Sequence, residues 1–278
     1  MKPVSKAIIY DSSCPMCQAY TKGFVQWGVL TDKHRIAFSE LQPDQARRYL
    51  DLQRSRHEIP LVDLAGGQTL YGVDALVYLL SQRLPLIALI MSNQMIYSFL
   101  KKLYSFISYN RRVITATVPG ADGVNCAPDF NLKYRLAFMA FAGFTASMIT
   151  WRFGVAAGYY LPQLAGLPML LICGTGWLLQ LLVAFVLLSG QRRLEYAGQL
   201  AVIMLIGTLV LLPGIAIDAA TAHRHPAWLV GSVALSSTLM HAEHLRRIRY
   251  LQLSRWWVLL WSVLLFATAL AWLIQFSG

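Results

Sequence analysis

Residues 10–20 read YDSSCPMCQAY, which places Cys14 and Cys17 two residues apart where a short apolar run gives way to a helical pattern. A pair at this spacing suits reversible disulfide exchange, half of a zinc site, or plain packing. Structural zinc takes four ligands, commonly from two such pairs. The other cysteines, Cys126 and Cys173, supply no second pair, and Cys173 falls inside a long apolar run. The spacing therefore points to a redox dithiol rather than zinc or an inert pair, and neither a metal nor a cofactor is expected.

The position of the pair carries a chemical consequence. A helix N-terminus presents unpaired N–H groups and about half a positive charge, which favours thiolate over thiol. Cys14 is therefore expected to be the nucleophile, more exposed and more acidic than Cys17. Cys17, one turn further in, is placed to resolve a mixed disulfide. Pro15 lacks the N–H that a first helical position leaves unused and pre-sets its φ. Asp11 could accept a proton from a cysteine or brace the loop ahead of the helix. Because a nearby carboxylate opposes thiolate formation, the brace is favoured. Cys126, in NCAPDF, reads as a free structural cysteine before a third redox thiol.

The elements that must position these residues follow from periodicity. AIIY, RIAFSEL, IPLVDL and QTLYGV read as strands, and CPMCQAYTKGFVQWGVL, PDQARRYLDLQRS and DALVYLLSQRL as helices. Met16, Tyr20, Phe24 and Trp27 give the first helix one apolar face. Gly66-Gly67 marks a hairpin, and Asp74 is a candidate cap for the third helix. The resulting order, β-α-β-α-β-β-α, predicts an α/β domain over residues 1–84. Residues 85–133 read as an amphipathic helical extension and connector, in which YSFLKKLYSFISYNRR lies near a membrane with its KK and RR pairs favouring anionic lipid.

From 134 to 278 the chain changes character. No lysine follows Lys133, and charge-poor runs succeed one another, within a chain that is 56% hydrophobic against the 45–50% usual for soluble domains. About 20 apolar residues cross a bilayer core. Five helices are predicted: Leu136 toward Tyr160, Leu164–Leu188, Ala197–Ile217, Trp228–Leu239 and Trp256–Phe276. Lys133 and Arg135, then Arg192 and Arg193, then Arg246, Arg247, Arg249 and Arg255 fall on one side if all five cross. Positively charged loops stay cytoplasmic, so the redox domain is expected in the cytoplasm and the C-terminus opposite, in an integral membrane protein of the bacterial inner-membrane type. No apolar h-region stands near the start, so no signal peptide is expected. The net charge of +11 is accounted for by these loops, and nucleic acid is not an expected partner. His241 and His244 share a helical face beside an arginine cluster and read as solvated side chains rather than metal or haem ligands.

YDSSCPMC, IAFSELQ, GVDALVYLL and YSFISYNRRV followed by Cys126 together resemble the DCC family of thiol-disulfide oxidoreductases, whose pattern is a YDGxCxxC start and a distal YxxxxxNR…C segment. The likeness spans about residues 6–130, and Ser12 stands where the family has glycine. CPMC is also similar to the CPxC of glutaredoxins. The resemblance implies a thioredoxin-like fold and dithiol chemistry at Cys14 and Cys17, with Asp11, Asn110, Arg111 and Cys126 as family positions. In thioredoxin-type folds a cis-proline precedes the third strand and leaves backbone free for an extended substrate, so Pro60 is expected to be cis. The expected partners are a disulfide-bearing protein or small molecule, and membrane lipid.

Overall fold

The computed structural model describes residues 6–42, 44, 49–64, 66, 68–117 and 128–277, the last by its main chain only. It divides into two compact units, Met1–Arg135 and Leu136–Gly278. Cys126 and, from the second predicted helix, residues 43 and 45–48 lie outside the described residues.

The first unit is built on a four-stranded mixed sheet. β1 (Lys6–Tyr10), α1 (Pro15–Gln26), β2 (Arg35–Ala37), α2 (Leu52–Ser55), β3 (Pro60–Asp63), β4 (Leu70–Tyr71) and α3 (Val73–Ser81) follow in order. The sheet order is β2-β1-β3-β4, with β1 and β2 parallel and the other two pairings antiparallel. Because side chains alternate across a strand, Ile8 and Leu61 enter one core with Phe24, Val29, Leu30, Ile59, Ala75 and Leu79. Ile9 and Val62 enter the other with Phe38 and Leu50.

Local details depart from the sequence expectation for physical reasons. The RIAFSEL strand stops at Ala37, where Glu40 folds back to accept the Ala37 N–H at 3.1 Å and closes a 3₁₀ turn. Of the predicted apolar face of α1, Trp27 is 65% exposed, because the chain leaves the helix there; Cys17, Thr21 and Phe24 are the buried face. Asp74 is not the cap of α3. That place belongs to Gly72, at φ +56°, where any side chain would be strained, and the Asp74 carboxylate instead accepts from the Tyr97 hydroxyl.

Two helices complete the unit: α4 (Leu86–Met91) and α5 (Gln94–Thr115). Asn93 caps α5, its side-chain oxygen accepting from the N–H groups of Met95 and Ile96. The far end of α5 is buried: Ser108, Asn110, Arg111, Arg112 and Val113 all face inward. The RR pair is therefore not lipid-facing, whereas Lys101 and Lys102 are exposed.

The second unit is all-helical: α6 (Leu132–Gly158), whose first turn belongs to the first unit, α7 (Leu167–Leu187), α8 (Gln191–Ala220), α9 (Ala227–Tyr250) and α10 (Trp256–Ser277). α6, α7, α8 and the Trp256–Phe276 stretch of α10 are long and apolar enough to cross a membrane. α9 has the length, but its last turns carry Glu243, Arg246, Arg247 and Arg249, which lowers its hydropathy below theirs. α8 pairs most extensively with α9, and α7 with α10. Cys173 is exposed and lines a cavity of about 460 Å³ among the helices of this unit.

Candidate thiol site

Cys14 is the N-cap residue of α1, with Pro15 at the first helical position. The approach is a braced turn in which the Cys14 N–H donates to the Asp11 carbonyl at 3.1 Å. The Asp11 carboxylate accepts from the Ser13 N–H at 3.0 Å and the Ser13 hydroxyl at 2.6 Å. Ser12 does not take a positive φ, so the loop forms without the glycine of the family pattern.

Both cysteines are free thiols and both are buried, Cys14 at 0% exposure and Cys17 at 4%. The expectation that Cys14 is the more exposed is thus overturned: it lies in the interior behind a turn that Arg112 of α5 ties down through Asp11 and Ser13. Its acidity follows the expected direction. The Cys17 thiol and the Cys17 N–H both donate toward the Cys14 sulfur and, with the Arg111 charge, outweigh burial and Asp11 to pull Cys14 down to about 6. The Cys17 thiol is pushed up, first because it donates to Cys14 and then by burial. Tyr20 donates to Cys17. Burial holds Tyr20 well above the usual phenol range and Tyr104 up to about 12, so both hydroxyls keep their protons.

The cationic side of the site comes from α5. Arg112 Nη2 donates to Asp11 Oδ2 at 2.7 Å and to Ser13 Oγ at 3.1 Å, and Arg111 Nη2 lies 3.9 Å from the same carboxylate oxygen. The sequence reading named Arg111 and missed Arg112, which makes the direct pair across 101 positions. The signal available was its adjacency to Arg111, but a dibasic pair on an amphipathic helix reads first as lipid-facing. Asn110 stands back from the thiols and joins helices: its Nδ2 donates to the Phe106 and Tyr134 carbonyls, and its Oδ1 accepts from Arg135 Nε at 3.2 Å.

Pro60 heads β3 in a trans peptide. Its neighbour is engaged on both sides: the Ile59 N–H donates to the Tyr104 hydroxyl at 2.9 Å and the Ile59 carbonyl accepts from Gly72 at 2.9 Å. That backbone is consumed by α5 and the segment after β4, and it is not free to pair with an extended substrate as the sequence reading expected.

A cavity of about 320 Å³ opens beside the pair. Its walls include Cys17, Tyr20, Leu80, Tyr104, Ile107 and Arg111, but not Cys14. Among the described residues, no group of three or more His, Cys, Asp or Glu side chains is placed to hold a metal ion. The expectation for His244 also changes. It is buried at 1%, with Nε2 3.1 Å from the Tyr196 hydroxyl, whereas His241 stays on the surface.

A cysteine capping a helix with a second cysteine one turn on and cations beside it is an arrangement suited to dithiol chemistry. Residues 8–117 match the family described as DCC1-like thiol-disulfide oxidoreductase. The match ends before the apolar helices. No curated protein and no solved structure matches the chain.

Proposed function

We propose that the protein is a membrane-tethered thiol-disulfide oxidoreductase in which Cys14 attacks a substrate disulfide and Cys17 resolves the mixed disulfide. The Cys14 sulfur bonds to one substrate sulfur as the substrate S–S bond breaks and one thiolate leaves. Cys17 then gives up its proton and bonds to Cys14, and the second substrate thiolate departs. Two electrons pass to the substrate, and the pair is left as a disulfide. The observation that carries this reading is the placement of the pair: Cys14 is the N-cap of α1 with Pro15 at the first helical position, Cys17 lies one turn further in, and Arg111 and Arg112 are held at the Asp11 turn ahead of them. A carboxylate tied up by Arg112 and Ser13 cannot serve as the base, so Asp11 braces the turn.

The strand order and directions support a thioredoxin-like fold for the first unit. The arginines at the ends of α8 and α9, with Lys133 and Arg135 in the first turn of α6, support five crossings with α9 included, a cytoplasmic redox unit and a C-terminus on the other side. Lys101 and Lys102 beside exposed Phe99 and Leu103 support contact with anionic lipid. The substrate is a protein or small molecule bearing a disulfide. In the Cys17→Ala variant, substrates should accumulate as mixed disulfides on Cys14, released by dithiothreitol and absent from the Cys14→Ala, Cys17→Ala double variant. Equal capture by the double variant would sink the proposal.

A further inference from the structure

The cavity reaches the wrong cysteine for the reaction just described. Its walls include Cys17 and leave out Cys14, the proposed nucleophile. A reduced Cys17 is a poor nucleophile, because its proton is committed to Cys14. In the oxidised pair the position reverses: Cys17 becomes the electrophilic sulfur, and Cys14, the more acidic thiol, becomes the better leaving group. Whatever occupies the cavity is then set against the sulfur whose attack expels the stabilised thiolate.

The lining states what that occupant is. Met16, Phe24, Leu76, Leu80 and Ile107 are apolar. The Ser108 hydroxyl is engaged by the His57 carbonyl, and the Tyr104 hydroxyl by the Ile59 N–H. Ile107, in the wall, also ends an exposed apolar row on α5, Met95, Phe99, Leu103 and Ile107, spaced by four residues. The cationic group in the wall is Arg111, whose charge favours an incoming sulfur as thiolate.

We propose that this cavity is the reductant site of the oxidised protein: it takes a small apolar thiol, as thiolate, which attacks Cys17 Sγ. The thiolate sulfur bonds to Cys17, the Cys14–Cys17 bond breaks, and Cys14 leaves as thiolate. A second thiolate of the same kind then attacks the sulfur of the bound adduct, forming the external disulfide and freeing Cys17, which takes up a proton. Two electrons enter the pair and two external thiols become one disulfide. The proposal rests on the dithiol-disulfide reading above, and it gives the two sulfurs separate clients, one arriving at each.

The test uses the full-length protein in detergent, oxidised to the Cys14–Cys17 disulfide, with phenylmethanethiol and 2-mercaptoethanol as the apolar and polar probes. After brief mixing, acid quenching and alkylation in denaturant, peptide mass spectrometry locates the adduct. The expected result is phenylmethanethiol on Cys17 and the alkyl group on Cys14. Burying the ring should also make reduction by phenylmethanethiol about tenfold or more faster than by 2-mercaptoethanol at equal thiolate concentration. Ile107→Trp and, independently, Leu80→Trp fill the cavity and should bring that ratio near one. An adduct on Cys14, or a ratio that survives both variants, overturns the cavity assignment while leaving the redox pair intact. If dithiothreitol too fails to cycle the pair, the redox reading itself falls and this inference falls with it.

Discussion

Each unit of the molecule buries arginine, and the surroundings differ. In the first unit Arg111 and Arg112 meet Asp11 across about a hundred residues of chain, next to two thiols and an apolar cavity. In the second, the buried Arg247 is answered within its own helix by Glu243 at 3.0 Å, with Gln199 of α8 accepting its other arm. Beside it, Gln180 donates to the Tyr196 hydroxyl at 2.6 Å and His244 lies against the same oxygen. That cluster holds no cysteine. Buried polar groups require partners, and the second cluster uses its partners to join α7, α8 and α9. The first spends part of its charge on a group that reacts. On the proposed function, the contrast places chemistry in the first unit and helix-to-helix cohesion in the second.

The largest effect that would test this contrast is at the thiols. Cys14→Ser should lower disulfide exchange by more than about a thousandfold, as loss of a nucleophile does, while Cys173→Ser, on α7 in the second unit, should leave the rate unchanged. A comparable loss in both variants would move the chemistry into the helical unit.

Next comes the brace. Asp11→Ala leaves Arg112 buried without its carboxylate, a defect that costs about 3–5 kcal/mol, measurable as a lower denaturation midpoint of the first unit with the helical unit unchanged. A surface ion pair would have cost far less, so a loss below about 1 kcal/mol would show that this pair is solvated.

A smaller effect is expected from charge alone. The Cys14 thiolate predominates above its lowered value of about 6, so thiolate absorbance and exchange rate should fall as pH drops through about 6, not through the ordinary thiol value of 9.0. Arg111→Gln removes a cation that favours the thiolate. A rise of one pKa unit would cut exchange about fivefold at pH 6 and barely change it at pH 9. An unshifted titration would mean that hydrogen bonds from Cys17 set the acidity by themselves.

The smallest expected effect lies in the second unit. His244→Phe removes one partner of Tyr196 and should reduce thermal stability by about 1 kcal/mol, while exchange stays within about twofold of the parent. A large fall in exchange with stability preserved would break the comparison, because it would make the helical cluster part of the reaction.

Much of this was legible in the sequence because it is encoded locally. The CxxC pair behind an apolar strand, Pro15 at the first helical position, and the alternation of Ile8 with Ile9 each depend on a few consecutive residues and a fixed period. The apolar helices declare themselves by length and composition in the same way. Tertiary structure decided the rest. Whether Cys14 is exposed depends on how the turn before it is held, and the arginine that holds it is about a hundred residues away. Arg112 looks like a lipid-facing cation until the pose of α5 against the Asp11 turn is known, and His244 looks solvated until α8 covers it. The backbone ahead of Pro60 looks free to pair with a substrate until Tyr104, on a distant helix, is found accepting the Ile59 N–H. Local spacing fixes which residues share a helix or strand face, since the period is set by the backbone itself. Which faces meet is set by the packing of distant segments, and no local period encodes it.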